Sequence, residues 1–488
     1  MQFSIMSDLL ARKFYAVRKR IIGYVIRGLP VAFLFKRLYI IERISNLKLW
    51  FVAIILDRSN VRRPFTFNPK VVKNYVASEI ISSHVGKLVM DVYNHWDEAD
   101  YLFGRGLYWE SLELRKNLMA EIYAMQGNHE PQTYPRLMSS SFTVAIGHLG
   151  CLLLHREAQQ RGFLVNSKRT ALLGKKIGNQ EAIQLMKSEF DFTGVQSVDT
   201  TYFLPITNLV ENLQIFRGVN DFYDRYELWE KIFQSTNGVR STHLQETEEK
   251  VNYEIKCERK LSELGIKNPE KLAVFHIRNN GVYQETRNVS PKPFVAAAQY
   301  LQQKGYTVFQ IGANEHNRIS EFMNGIIDLN EKKYENVEVD LDFYLLYKAA
   351  LFVGTTSGPS MFPQFFNIPS LITNLTSISR NALSGQKTLY IPKKIKRLTG
   401  DELSFGETLA SRLSFGGEYT RNQFRIEELE IIDNSEKQIL DGVDELLTRV
   451  INATSITETS LDSEVSSLQN MSKVVSFGKF ANSCIGAL

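Results

Sequence analysis

Cysteine is scarce in this chain. Three residues of 488, Cys151, Cys257 and Cys484, lie far apart with no Cys-x-x-Cys spacing. That argues against a disulfide framework or a structural zinc site, and for a reducing compartment. The eight histidines are scattered, and none belongs to a His-Glu-x-x-His pair that would set two metal ligands on one helix face. Long apolar runs are missing as well. Ile21–Phe35 is interrupted by Arg27 and broken by Gly28 and Pro30, and Leu49–Leu56 is shorter still; a spanning helix needs about 20 apolar residues. Charges recur through the same stretch and no small-residue cleavage site follows, so a cleavable signal peptide fits poorly. Repeats of roughly 20–50 residues are absent. What remains has the composition of an ordinary globular protein, 44% apolar and 23% charged, long enough for two or three domains.

Acidic residues are few at one end. Residues 1–75 hold 15 Lys/Arg against 3 Asp/Glu, a balance of +12 in a chain of net +5, so residues 76–488 carry −7. The basic character therefore bears on location more than on chemistry, and gives no reason to expect a nucleic-acid partner. Aromatic and basic residues interleave here, with Phe14, Tyr15, Tyr24, Phe33, Trp50 and Phe51 among them. One or two interfacial helices would fit, their Lys/Arg each contributing roughly 1 kcal/mol at an anionic membrane surface. A helical bundle packed on the rest of the protein is the alternative.

Five segments follow: the basic helical segment 1–75, a helical region 76–134, an α/β domain 135–265, a second α/β domain 266–450, and a Ser/Thr-rich tail 451–488. In the helical region, Leu107–Met125 spaces its apolar residues at three and four with no Pro or Gly. Ser141–Gly150 reads as a strand and a Gly turn, Cys151–Gln160 as a helix, and Phe163–Val165 as a second apolar run; Asn237–Lys267 includes a linking helix. The second domain is clearer. Lys271–Ile277 is a buried strand, Pro291–Lys304 an amphipathic helix capped by Ser290, and Tyr306–Ile311 the next strand. Asn336–Val339 is a further candidate strand. Asp340–Ala350 is a helix, Leu351–Gly354 a strand, and Pro369–Thr373 the strand after it. This alternation predicts a parallel, doubly wound sheet with its ligand site at the carboxyl ends of the strands. In the tail, Val475–Phe480 could dock back on the body.

Two loops fall at such ends. Thr355-Thr356-Ser357-Gly358-Pro359-Ser360 is small, rich in hydroxyls and followed by a short helix. A loop of this kind leaves backbone N–H groups open to a phosphate, though many such junctions only turn and cap. The other runs from His276 and Arg278 through Gly281 to Arg287 and Asn288. The planar fork of Arg278 suits a phosphate, and Arg287 could assist; a structural salt bridge or a solvated charge are the plainer alternatives. His276 lies in an apolar strand and could equally be a core histidine. Asp340-Leu341-Asp342 mimics a metal-binding Asp-x-Asp, but Asp340 is better read as a helix cap and Asp342 as a first-turn charge.

His276–Gly281 with Glu285–Asn288, then Gln310–Gly312, the block Asp342–Pro369, Ile391–Ile395, Thr399–Glu407 and the turn Ala145–Gly150 together resemble a bacterial family of glycosyltransferases encoded with surface-polysaccharide genes. The block near 354–369 is also similar to the donor loop of heptosyltransferases, and the His-x-Arg at 276–278 to that of fucosyltransferase-like enzymes. The resemblance covers roughly 135–450. It implies a GT-B architecture, two Rossmann-like domains facing a cleft, and transfer of a sugar from a nucleotide-sugar donor to a glycan or lipid-linked acceptor, with inversion. Donor contacts would be His276, Arg278, Arg287, Asn288, Gly312, Thr355, Thr356, Ser357, Gly358 and Ser360. Gly147 and His148 would lie on the acceptor side, with Arg278 and a candidate base, His148, as the catalytic groups; His148 could also merely cap its turn. No metal or other cofactor is implied. Segment 1–75 and the tail carry no motif of that family; the basic, apolar character of 1–75 alone places the work at the inner face of the cytoplasmic membrane. On the same fold, a nucleotide-sugar epimerase, a pyruvyl transferase or an inactive nucleotide-sugar-binding scaffold are the alternatives.

Overall fold

The computed structural model describes residues 142–164, 169–173, 177–194, 216–218, 244–266, 268–279, 285–312, 318–329, 341–376, 387–404, 421–426 and 428–451, with shorter pieces at 111–117, 136–138, 222–223, 225, 227–228, 231–232, 331, 407 and 476–477. The basic segment 1–75 and the candidate strand Asn336–Val339 lie outside them. Contacts divide the chain into two compact units. Met1–Ser139 with Thr193–Ile215 form one, and Ser140–Phe192 with Phe216–Leu488 the other. The segment 135–265 is thus shared between the two. In the first unit, residues 111–117 are helical, within the run expected to be so, and bury Ser111, Leu112 and Arg115; strand β1 spans Arg136–Met138.

The second unit opens with helix α1 (Ile146–Gln160), strand β2 (Arg169–Leu173) and helix α2 (Gln180–Met186); strand β3 (Phe190–Gly194) follows, its first three residues in this unit. The short strands β4 (Phe216–Arg217) and β5 (Phe222–Tyr223) pair antiparallel. Helix α3 (Glu248–Glu263) begins at Thr247, whose Oγ1 accepts the Lys250 N–H, with Glu248 and Glu249 favourably placed in the first turn.

The expected parallel sheet follows: β6 (Leu272–His276), helix α4 (Val295–Gln303), β7 (Thr307–Gln310), β8 (Ile327–Asp328), helix α5 (Leu341–Lys348), β9 (Leu351–Thr355), helix α6 (Met361–Phe365), β10 (Ser370–Leu375) and β11 (Thr388–Pro392). Outside it, β12 (Lys394–Arg397) and β13 (Leu429–Ile432) pair antiparallel beside helix α7 (Arg421–Ile426). Helix α8 (Glu436–Ile451) precedes β14 (Ser476–Phe477), which pairs in parallel with β11, so this part of the tail docks on the body. The spatial order is β14-β11-β10-β9-β6-β7-β8, every pair parallel. In order of appearance the six strands other than β14 run 3-2-1-4-5-6, that of a doubly wound dinucleotide-binding sheet.

Burial on both faces explains why these strands are continuously apolar. Ala273 and Phe275 of β6 and Leu351 and Val353 of β9 pack with Leu301 of α4 and with Ile439, Val443 and Leu446 of α8. Leu272, Val274 and Phe352 alternate to the other face. Gly305, at φ +82°, ends α4, and Ser290 Oγ accepts the Lys292 N–H at 3.3 Å in the 3-10 turn that leads into it.

One expectation is overturned. Residues 142–145 form no strand, and α1 already starts at Ile146, so Gly147 and His148 belong to a helix and not to a strand–helix turn. Thr143, Val144 and Ile146 imitate a strand locally, but tertiary packing decides. A Cβ on Gly147 would sit 2.1 Å from the Gly358 Cα, and one on Gly150 would meet Met361 at 3.4 Å. The two glycines let α1 lie directly on the segment after β9. Likewise, of the apolar run 163–165, Val165 lies outside the described residues, and Leu164 makes a single bridge to Gly218.

Candidate functional site

The chain leaves β6 toward β7 on one side and β9 toward β10 on the other, so the connections from their carboxyl ends diverge, and this is the switch point at which sheets of this order hold a ligand in a crevice. β6 and β9 are hydrogen-bonded neighbours with His276 opposite Gly354, which brings together the two loops expected to share one site. Gly354 is needed there because a Cβ would stand 2.6 Å from the His276 carbonyl oxygen. Beyond the register, side chains join the loops. The Arg278 N–H donates to Thr355 Oγ1 at 3.0 Å, and Ser357 Oγ lies 2.8 Å from His276 Nδ1.

The His276 ring is held between Ser357 and Gly312, where a Cβ would approach the ring to 3.0 Å. Burial pushes its pKa down to about 3, and the positive charges of Arg318 and Arg278 push the same way. His276 is therefore a neutral imidazole at physiological pH, fit to orient Ser357 and unfit to carry a proton in turnover. Arg318 is held by a buried bidentate pair with Asp328, at 2.6 and 2.5 Å, and donates to the Gly312 carbonyl at 3.1 Å. It fixes the turn at Gly312, whose φ of +105° favours glycine.

Arg278 Nε donates to Asn288 Oδ1 at 3.2 Å, and the Val289 N–H closes the loop on the Arg278 carbonyl at 2.8 Å. Burial lowers the guanidinium pKa, though it stays charged. Arg287 works differently from a ligand clamp in this structure. Its Nε donates to the Thr356 carbonyl at 2.8 Å and Nη2 donates to the same oxygen, so it grips the neighbouring loop. Glu285, at the head of the same 3-10 turn, accepts the Arg421 N–H at 2.8 Å.

The Thr355–Ser360 loop is more closed than its sequence suggested. Helix α6 has only five residues, too few for a helix-end phosphate seat, and the Ser357 N–H is taken by Ser360 Oγ at 3.3 Å. Ser360 Oγ in turn donates to the Ser357 carbonyl at 2.7 Å, and Gln364 Nε2 to the Ser360 carbonyl at 2.7 Å. Thr355, Thr356, Ser357 and Ser360 are all buried, and Thr356 Oγ1 has no hydrogen-bond partner. A buried orphan hydroxyl beside the crevice is where an ordered water or a ligand oxygen would be satisfied. Gly147 meets Gly358 backbone to backbone, which places the partly buried His148 one residue from the loop.

Asp340 lies outside the described residues. Asp342 stands in the first turn of α5 and its Oδ2 accepts the Gly312 N–H at 3.2 Å, which ties α5 to the turn after β7. Sequence reading missed the Arg318–Asp328 pair and a second cationic group at the same edge of the sheet. Lys393, just past β11, is buried, bonds Asp433 at 2.6 Å, and has its pKa pushed down to about 8 by burial against the pull of that carboxylate. The signal was present as a lysine directly after a buried apolar strand, at its carboxyl end.

Among the described residues, no helix is long and apolar enough to cross a membrane. No family model matches the chain. No curated protein matches it either. Among solved structures it is similar to a glycosyl transferase of family 9 from Veillonella parvula, at 12% identity over 65% of this chain and 98% of that one, with a TM-score of 0.40. It is also similar to the E. coli heptosyltransferase WaaC with ADP, at 11% identity over 52% of this chain and 92% of that one, with a TM-score of 0.31. Likenesses this distant assign no function.

Proposed function

We propose that the crevice between β6 and β9 receives the diphosphate of a nucleotide sugar, and that the protein is a glycosyltransferase acting on a glycan or lipid-linked acceptor. One observation carries the reading. At the switch point of a 3-2-1-4-5-6 sheet, the Arg278 and Thr355–Ser360 loops are joined by the Arg278–Thr355 and His276–Ser357 bonds. A departing nucleoside diphosphate gains negative charge, and a pre-positioned guanidinium with fixed hydroxyls stabilises it without reorganising. The motif resemblance supports glycosyl transfer over other uses of such a crevice.

In this reading His148, beside the Gly147–Gly358 contact, takes the proton of the acceptor hydroxyl and transfer proceeds with inversion and without metal. The basic segment 1–75 keeps the enzyme at the inner face of the cytoplasmic membrane, near a lipid-linked acceptor of surface-polysaccharide synthesis. A second reading has one observation in its favour. The loop satisfies many of its own groups, as Arg287 and Ser360 show, which would suit a domain that binds donor without turning it over. Titration of nucleotide sugars into wild type, Arg278→Ala and His148→Ala separates the two. Transferase activity predicts binding lost in Arg278→Ala, and binding kept but turnover lost in His148→Ala. Binding with no turnover in wild type supports the scaffold, and no binding by any donor contradicts both.

A further inference from the structure

A second cleft opens at the opposite edge of the sheet. Tyr347 and Lys348 end α5 just before β9 begins, and Phe366 follows α6 ahead of β10, so these residues mark the amino ends of β9 and β10, and the carboxyl end of β9 borders the crevice. The two sites are separated by the length of a five-residue strand, roughly 16 Å. The cleft holds about 740 Å³, in the range of roughly 300–1,000 Å³ usual for pockets that take small organic ligands.

Its walls are unusual for a mere surface groove. Arg156 and Lys250 line it and are both more than nine-tenths buried. Arg156 Nη1 bonds Glu189 at 2.6 Å; Lys250 pairs with Glu246 and, at 3.5 Å, with Glu254. Glu254 also takes Lys348 at 3.2 Å and the Tyr347 hydroxyl at 3.3 Å. Three cations thus face three carboxylates around one cavity. Burial lowers the Arg156 pKa and raises that of Glu189, and burial beside Glu254 holds the Tyr347 phenol well above its ordinary range. Arg156 and Glu189, held as a buried pair beside a cavity, mark it as a candidate ligand site.

The chemistry of the walls narrows the class. These six charges balance, so the cleft carries no net charge of the kind that would favour a phosphate or a cation over a neutral ligand. The planar carboxylates, the guanidinium and the amides of Gln160 and Gln245 each offer two adjacent donor or acceptor sites. That spacing matches neighbouring hydroxyls, which both donate and accept. Tyr347 and Phe366, with ring centroids 5.6 Å apart, add apolar surface for the C–H face of a ring. We propose that this cleft is a binding site for a neutral, polyhydroxylated ligand, a segment of glycan chain, distinct from the crevice between β6 and β9.

The test uses the full chain and neutral tetrasaccharides of glucose, galactose and mannose, followed by saturation-transfer NMR and calorimetry. Gln160 and Gln245 are exposed, so Gln160→Trp and Gln245→Trp fill the cleft from two sides without cutting the core. At least one tetrasaccharide should bind at millimolar concentration or below, at least about tenfold more weakly in both tryptophan variants and unchanged in Arg278→Ala. Binding that survives both tryptophan substitutions, binding displaced by inorganic phosphate, or no binding by any of the three sugars overturns the proposal. Loss of donor binding in Arg278→Ala reports on the crevice alone, so the two sites succeed or fail separately.

Discussion

His276 shows how a single side chain is assigned by its surroundings. Folding depresses its pKa from the ordinary 6.5 to about 3, so the folded state binds fewer protons than the unfolded chain between those values. Its contribution to stability is complete above about pH 6.5 and is lost as pH falls toward 3. Thermal melts of wild type and His276→Gln across that window should converge on acidification, the variant having the flatter pH profile; parallel profiles would contradict the assignment. Gly147 makes the matching point about space. Ala at that position puts a Cβ 2.1 Å from a backbone atom, so Gly147→Ala should lose roughly 1–3 kcal/mol in urea unfolding. Asp328→Asn should cost about 3–5 kcal/mol, because it leaves the buried Arg318 charge without its partner.

At the scale of elements, the loops are held by contacts that cross the sequence. Arg287 reaches over 69 positions to the Thr356 carbonyl, and Arg287→Lys keeps the charge but loses the fork. Faster hydrogen exchange at the amides of 355–358 and 360 is expected in that variant; unchanged protection would mean that the loop holds its own shape. Such contacts are not legible in a sequence, because nothing local records which distant carbonyl an arginine will meet. Strands β6, β7, β9 and β10 were legible to within one or two residues, since parallel strands buried on both faces read as apolar runs between Gly, Pro and polar loops. β8 was not, as two residues, Ile327 and Asp328, carry no period. The 142–146 stretch misled because its β-branched residues favour a strand, while the close approach of Gly147 and Gly150 to the 358–361 segment is a tertiary fact. Helix α8 was readable but unread: Ile439, Val443, Leu446 and Leu447 keep a helical spacing and all are buried.

For the whole molecule, charge and topology divide the labour. The +12 of residues 1–75 should bind vesicles containing anionic lipid, weaken with rising salt, and vanish when those residues are deleted. Sedimentation that ignores salt or lipid charge would contradict the electrostatic part of the account. In the proposed reading the β6/β9 switch point receives a diphosphate, and the resemblance in motifs suggests that it carries a sugar. Calorimetry of diphosphate sugars of uridine, guanosine, adenosine and cytidine against wild type and Arg278→Ala tests this claim most directly. At least one donor should bind wild type, and the variant should lose about 1.5–3 kcal/mol, tenfold or more in affinity. Equal binding by both proteins, or none by either, would contradict the account.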